Sequence, residues 1–145
     1  MLPDLTPDQR AKLARGWVWR PGHAFVQPHP KTGVCDYSNF ARVSCVVDGE
    51  PMAMRGVGIG NPHPVLTDDV TADGLLRTAR AMWRDESMYV VKSPPDGWTL
   101  CRIARGCVES WTGKQWDLRL FHEYEVYPTE SATLLAAILA APEAA

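Results

Sequence analysis

Met88-Tyr89-Val90-Val91-Lys92, then Pro94-Pro95-Asp96-Gly97, then Trp98-Thr99-Leu100-Cys101-Arg102-Ile103-Ala104-Arg105 read as strand, turn and strand. β-branched and aromatic residues fill both runs, and the intervening residues suit a turn. Two such runs joined by a short turn pair antiparallel. The second run reads on past a Gly106 bulge to Trp111. Thr112-Gly113-Lys114 reverses the chain, and Gln115 to Tyr127 reads as a long third strand. Its alternation places Leu118, Leu120, His122, Tyr124 and Val126 on one face. Arg119, Phe121, Glu123, Glu125 and Tyr127 take the other. Pro128 ends the strand and Thr129 caps a final helix from Glu130 to Ala141, with Pro142 as its stop. Leu134, Leu135, Ile138 and Leu139 project from a helix otherwise rich in alanine. A helix this apolar buries most of its surface, on the sheet, against a second copy of the chain, or both.

The segment before this sheet reads as a helix. Thr67 or Asp68 caps it, and Asp69 in the first turn suits the macrodipole. Leu75, Ala79 and Met82, with Leu76 and Trp83, form one face, and the helix ends near Arg84 to Glu86. Arg77, Arg80 and Arg84 share another face at helical spacing. The C-terminal half is therefore α-β-β-β-α. The fold class is α+β: an antiparallel sheet with helices packed on one face.

The N-terminal half is richer in breaks. Thr6-Pro7-Asp8-Gln9 is a capping box with proline at the first helical position, so a short helix runs to about Arg15 with Gly16 after it. Trp17-Val18-Trp19 reads as a strand fragment, and the prolines and glycines from Pro21 to Tyr37 as loop around a short Phe25-Val26 strand. Phe40 to Val47 is a strand, Asp48-Gly49 a hairpin turn, and Met52 to Ile59 its return. Asn61-Pro62-His63-Pro64 breaks that return. The expected organisation is one domain over residues 1–145, with a seam near 56–64 between an N-terminal β-rich lobe and the C-terminal lobe.

The 145 residues are 46% hydrophobic and 22% charged, close to the globular average and far from a disordered tail. Fifteen basic and seventeen acidic residues give a net charge of −2. Neither a polybasic nucleic-acid binder nor a polyacidic mimic has that balance. Met1 to Pro7 lacks the basic and apolar regions of a signal peptide, and the run Leu134 to Pro142 is short of the roughly 20 residues that span a bilayer. The expectation is a cytoplasmic protein with no membrane partner. Cys35, Cys45, Cys101 and Cys107 are then expected as thiols.

The residues offer six candidate kinds of chemistry. His23, His29 and Cys35 stand at six-residue spacing, a weak candidate metal set, because zinc sites use close pairs such as C-x₂-C. Cys101 or Cys107 with His122 would be a thiol and its base, although cysteines in strands are mostly inert packing. Gly56-Val57-Gly58-Ile59-Gly60 lacks the helix and third glycine of a dinucleotide loop. Glu123 and Glu125, about 7 Å apart on one strand face, fit a solvated surface beside Arg119. The α-β-β-β-α order parallels double-stranded-RNA-binding domains, but Glu130-Ser131-Ala132-Thr133 lacks the bases that grip phosphate there. Nucleic acid is thus the third reading, through the Arg77, Arg80, Arg84 stripe. Six tryptophans are many for this length, and Trp111 and Trp116 flank a hairpin tip, where burial is difficult. Interfaces favour tryptophan and arginine as anchors, so the expected partner-binding residues are Trp111 and Trp116, with Arg77, Arg80 and Arg84 as a second surface.

Three segments resemble small accessory proteins encoded by tailed phages and prophages. They are Gly16-Trp17-Val18-Trp19-Arg20-Pro21-Gly22; Leu66-Thr67-Asp68-Asp69-Val70-Thr71 leading to Leu75-Leu76 and Ala81-Met82-Trp83; and Thr129-Glu130-Ser131-Ala132-Thr133-Leu134-Leu135-Ala136-Ala137 with Ala140-Ala141-Pro142. His23 departs from the pattern, where an apolar residue is expected, as does Asp69, where proline is expected. The resemblance implies a phage-type protein working in the bacterial host cytosol. The class carries no known catalytic residues, so none are transferred, and no cofactor is expected. The expected function is non-catalytic binding of a bacterial host protein, as an inhibitor of a defence or nucleic-acid-processing complex. A small metal-binding protein or metalloenzyme using His23, His29 and Cys35 is the alternative.

Overall fold

A computed structural model describes residues 5–95, 97–119 and 124–143. The fold is α+β, with antiparallel sheets and a final helix after the last strands. The chain packs as two compact units, Leu5–Thr78 and one that resumes at Ala79, so the seam expected near 56–64 lies inside the first unit.

In the first unit, helix α1 (Pro7–Gly16) starts as its sequence dictates: Thr6 Oγ1 accepts from the Gln9 N–H, and the Gln9 side chain accepts from the Thr6 N–H. Strand β1 (Ala24–Val26) lies between β2 (Ala41–Arg42) and β6 (His63–Pro64), antiparallel to both. A separate three-stranded sheet holds β3 (Cys45–Val47), β4 (Glu50–Met54) and β5 (Val57–Gly58) in that order. Asp48 and Gly49 both take positive φ, the conformation a tight hairpin needs, as the Asp-Gly pair foretells. The expected single return strand to Ile59 is divided by a turn in which Gly56 has φ +85°. Trp17-Val18-Trp19 is not a strand. Instead both indoles are buried with His23 in an aromatic cluster, at centroid distances of 5.6–6.2 Å.

The helix expected from Asp68 to about Glu86 is broken. Asp68 caps a single turn, α2 (Asp69–Ala72), and α3 (Leu75–Trp83) follows after Asp73-Gly74. Gly74 explains the break. A Cβ there would sit 2.9 Å from the Trp17 ring and 3.1 Å from His23 Cε1, so the backbone must approach the aromatic cluster without a side chain. Thr71 and Thr78 then tie the loops down: Thr71 Oγ1 accepts from the Ala24 N–H at 2.7 Å and Thr78 Oγ1 from the Val18 N–H at 3.0 Å.

The second unit is built on four antiparallel strands in the order β10-β9-β8-β7. They are β7 (Tyr89–Ser93), β8 (Gly97–Ala104), β9 (Cys107–Trp111) and β10 (Trp116–Leu118). The run from Trp98 to Trp111 is a hairpin rather than one bulged strand. Arg105 and Gly106 both have positive φ and make a two-residue turn, which pairs Ala104 with Cys107. The long third strand stops at Leu118. Leu120, Phe121, His122 and Glu123, parts of that expected strand, lie outside the described residues. Tyr127 returns to pair with Trp98 by an isolated bridge. Helix α4 (Glu130–Ala140) is capped by Thr129, whose Oγ1 accepts from the Ala132 N–H at 3.0 Å, and it packs on β8 and β7. Leu134, Leu135 and Ile138 are buried there. The apolar face that could have joined two copies is thus largely covered by the protein's own sheet.

Candidate functional site

Register divides the C-terminal sheet into two unlike faces. Side chains alternate along a strand, and residues directly opposite share a face. The pairs Arg102↔Glu109, Trp111↔Trp116 and Val90↔Leu100 define the inner face. The pairs Tyr89↔Cys101, Val91↔Thr99, Ile103↔Val108, Cys101↔Ser110 and Ser110↔Asp117 define the outer one.

The inner face holds the tryptophans. Trp83, Trp111 and Trp116 meet edge to face, with centroids 5.3–5.8 Å apart. Trp83 Nε1 donates to the Ala137 carbonyl at 2.7 Å, which ties the cluster to α4. Arg102 lies 4.6 Å from the Trp116 ring centroid and pairs with Glu109 at 2.7 Å, closing the cluster's side. Trp111 is 6% exposed and Trp116 is half-buried. The hairpin tip does not free these rings, because both pack against Trp83 and each other. As anchors for a partner, Trp111 and Trp116 offer little accessible surface.

The arginine stripe is also altered by the fold. Arg84 lies beyond the end of α3 with φ 54°, out of helical register with Arg77 and Arg80. Arg80 Nε donates to the Met88 carbonyl at 2.8 Å and so anchors the chain leaving the helix. The three do not form one continuous face.

The weak metal set is dispersed. His23 is 3% exposed, and its Nδ1 accepts from Trp17 Nε1 at 3.2 Å and from the Arg20 N–H at 3.1 Å. Burial, then Arg77 and Arg20, hold its pKa below the ordinary value, so it stays a neutral core histidine. His29 Nδ1 caps its own loop by accepting from the Lys31 and Thr32 N–H groups. Among the described residues no three His, Cys, Asp or Glu side chains are gathered to hold a metal ion, so His23, His29 and Cys35 form no cluster. The four cysteines are free thiols. Cys101 is buried and Cys107 exposed, while the base proposed for them, His122, lies outside the described residues, as does Glu123 of the carboxylate pair.

The outer face is the part sequence reasoning missed. Val91, Ile103 and Val108 are 36%, 54% and 39% exposed there, with Ile103 and Val108 directly opposite each other. Beside them is a depression of about 550 Å³ lined by Tyr89, Val91, Cys101, Cys107, Val108, Leu118 and Arg119. Burial pushes the Tyr89 phenol above its ordinary value, with Cys101 adding to it, so it remains an O–H donor at neutral pH. Arg119 lies over the small polar residues of the face. Its Nη1 donates to Ser110 Oγ at 2.9 Å, Thr99 Oγ1 at 3.0 Å and Cys101 Sγ at 3.2 Å. The signal in the sequence was the small Thr99, Cys101 and Ser110 at alternate strand positions, which leave room for a long side chain. The sequence pattern alone sets Arg119 on a strand face beside Glu123 and Glu125 and does not show these three acceptors.

Among the described residues no helix is long and apolar enough to cross a membrane. Comparison with protein-family models, with curated proteins and with solved structures finds no match to this chain.

Proposed function

We propose that the protein acts by binding rather than by turnover. In this reading it is a phage-type accessory protein of the bacterial host cytosol, and its target is a host protein in a defence or nucleic-acid-processing complex. Support for a binding role comes from one observation: the outer face of the C-terminal sheet carries Ile103 and Val108 exposed directly opposite each other, with Val91 exposed farther along the same face. Exposed apolar side chains that adjoin one another mark interaction sites. The resemblance of the Trp17-Val18-Trp19, Leu66-Thr67-Asp68 and Thr129-Glu130-Ser131 segments to phage accessory proteins supports the biological setting. The docking residues are therefore Ile103 and Val108, in place of Trp111 and Trp116.

Pull-down from bacterial lysate tests this reading against variants of the face. Wild-type protein should retain a defined host protein, and Ile103→Asp with Val108→Asp should lose it while melting as wild type does. Arg77→Glu should keep it. Retention by the folded double variant, or no specific partner at all, would overturn the proposal.

A further inference from the structure

We propose that His23 is an acid-operated latch: on taking up a proton it releases the segment Trp17 to Arg20 and exposes its two indoles, while the four-stranded sheet of the other unit stays folded. This rests on hydrogen bonds and packing within Leu5–Thr78 and is independent of the docking reading.

Two of the hydrogen bonds that hold the segment end on one atom. Trp17 Nε1 and the Arg20 N–H both donate to His23 Nδ1, at 3.2 and 3.1 Å. An indole N–H and a backbone N–H can only donate, so Nδ1 carries no proton and the neutral ring keeps its one proton on Nε2. An imidazolium carries a proton on both nitrogens. Its Nδ1–H would face two N–H groups, and neither bond survives. Little room is left for the ring to turn. It is 3% exposed and packs against the Trp17 and Trp19 rings, and a Cβ added at Gly74 would lie only 3.1 Å from its Cε1.

The two sides of the contact are held unequally. His23 leads into β1, which pairs on both edges. The Val43 N–H donates to the His23 carbonyl at 2.8 Å, and the Ala24 N–H to Thr71 Oγ1 at 2.7 Å. Trp17 to Arg20 belongs to no strand, and beyond His23 it is tied by the Val18 N–H to Thr78 Oγ1 at 3.0 Å. Movement therefore falls to this segment. The surroundings act in the same direction. Burial disfavours the charged ring most, and Arg77 of α3 and Arg20 of the segment repel it. Asp68, the cap of α2, attracts it but is already engaged by Arg42 at 2.9 Å and by Thr71 at 2.8 Å. Held at about 2, Asp68 stays ionised throughout, so these charges are constant while His23 titrates below its ordinary 6.5.

Nitrogen-15 NMR of the full chain, titrated from about pH 7.5 to about 4.5, tests the latch. At the upper end the His23 ring should show the Nε2–H tautomer. As pH falls, the Trp17 indole N–H and the Arg20 amide should shift with the His23 ring at one midpoint below 6.5. Their protection from solvent exchange should fall at least about tenfold, while the amides of β8 and β9 keep theirs. His23→Asn offers a carbonyl oxygen near the place of Nδ1 that accepts and does not titrate. It should keep the protection seen at neutral pH and abolish the transition. His63→Asn, at the half-buried histidine of β6, should leave the transition unchanged, so that a fold defect in one variant cannot decide the result. An Nδ1–H tautomer, no shift down to about pH 4.5, or simultaneous loss of protection in β8 and β9 would each overturn the proposal. So would a transition that persists in folded His23→Asn or disappears in folded His63→Asn. No partner protein takes part, so failure here leaves the docking reading intact, and failure of the pull-down leaves the latch intact.

Discussion

Trp111→Ala separates the two roles open to the tryptophans. If Trp111 faced a partner, truncation would abolish binding and leave the fold intact. In the structure it faces inward, 5.5 Å from Trp83 and 5.3 Å from Trp116 between ring centroids. An aromatic ring in such a place buries about 150–250 Å², worth roughly 4–6 kcal/mol at about 25 cal/mol per Å². Partial collapse of the cavity recovers some of this, and tryptophan truncations in cores cost about 3–5 kcal/mol. Against a total stability of roughly 5–15 kcal/mol, that is a large fraction. At about 2–4 °C per kcal/mol for a chain near this size, the melting temperature should fall by roughly 6–20 °C. Far-UV circular dichroism is the suitable assay, because the substitution removes a fluorescent reporter. Ile103→Ser, on the outer face, should stay within about 0.5 kcal/mol of wild type. A Trp111→Ala protein that melts with wild type would refute the assignment of the two faces, and with it the placement of the docking surface.

Gly74→Ala should destabilise the protein, by roughly 1–3 kcal/mol from overpacking against Trp17 and His23, offset by about 0.4–1 kcal/mol from the stiffer unfolded chain. A more stable variant in urea denaturation would contradict the close approach. Stability should decline as pH falls below about 6.5. His23 is held neutral in the fold, its pKa depressed by burial, so the unfolded chain takes up its proton first, with a slope of up to about 1.4 kcal/mol per pH unit. His63, depressed by burial and then by Arg10, acts in the same direction. His23→Phe should flatten the slope, and an unchanged pH profile would count against the neutral histidine. Further down, Asp68 is held at about 2 by Arg42 and then Thr71, so its contribution is complete above its ordinary value near 3.8 and is lost as pH falls through about 2. Thr129→Ala should cost about 1 kcal/mol by removing the cap of α4, and Thr129→Ser should restore it. A fully stable Thr129→Ala would show that α4 is held by packing alone.

What could be read directly from the chain was local. Thr6, Asp68 and Thr129 each cap the helix that follows, because a side-chain oxygen reaches a backbone N–H two or three residues away whatever else the chain does. Asp48-Gly49 makes its turn for the same reason, since the conformation is decided within the pair. The alternation that set Arg119 opposite Leu118 also held at the end of β10. Neighbours distant in sequence decided the rest. Gly74 breaks a periodic helix only because Trp17 and His23 arrive beside it, and Arg105-Gly106 turns a strand back because Cys107 to Trp111 finds better pairing along β8. Whether Trp111 met solvent or Trp83 depended on which face of the sheet was covered. Sequence alone thus determined where helices start, where hairpins turn and that the class is α+β. Tertiary packing alone decided which sheet face was covered, because burial is a property of the assembled layers and not of any single segment.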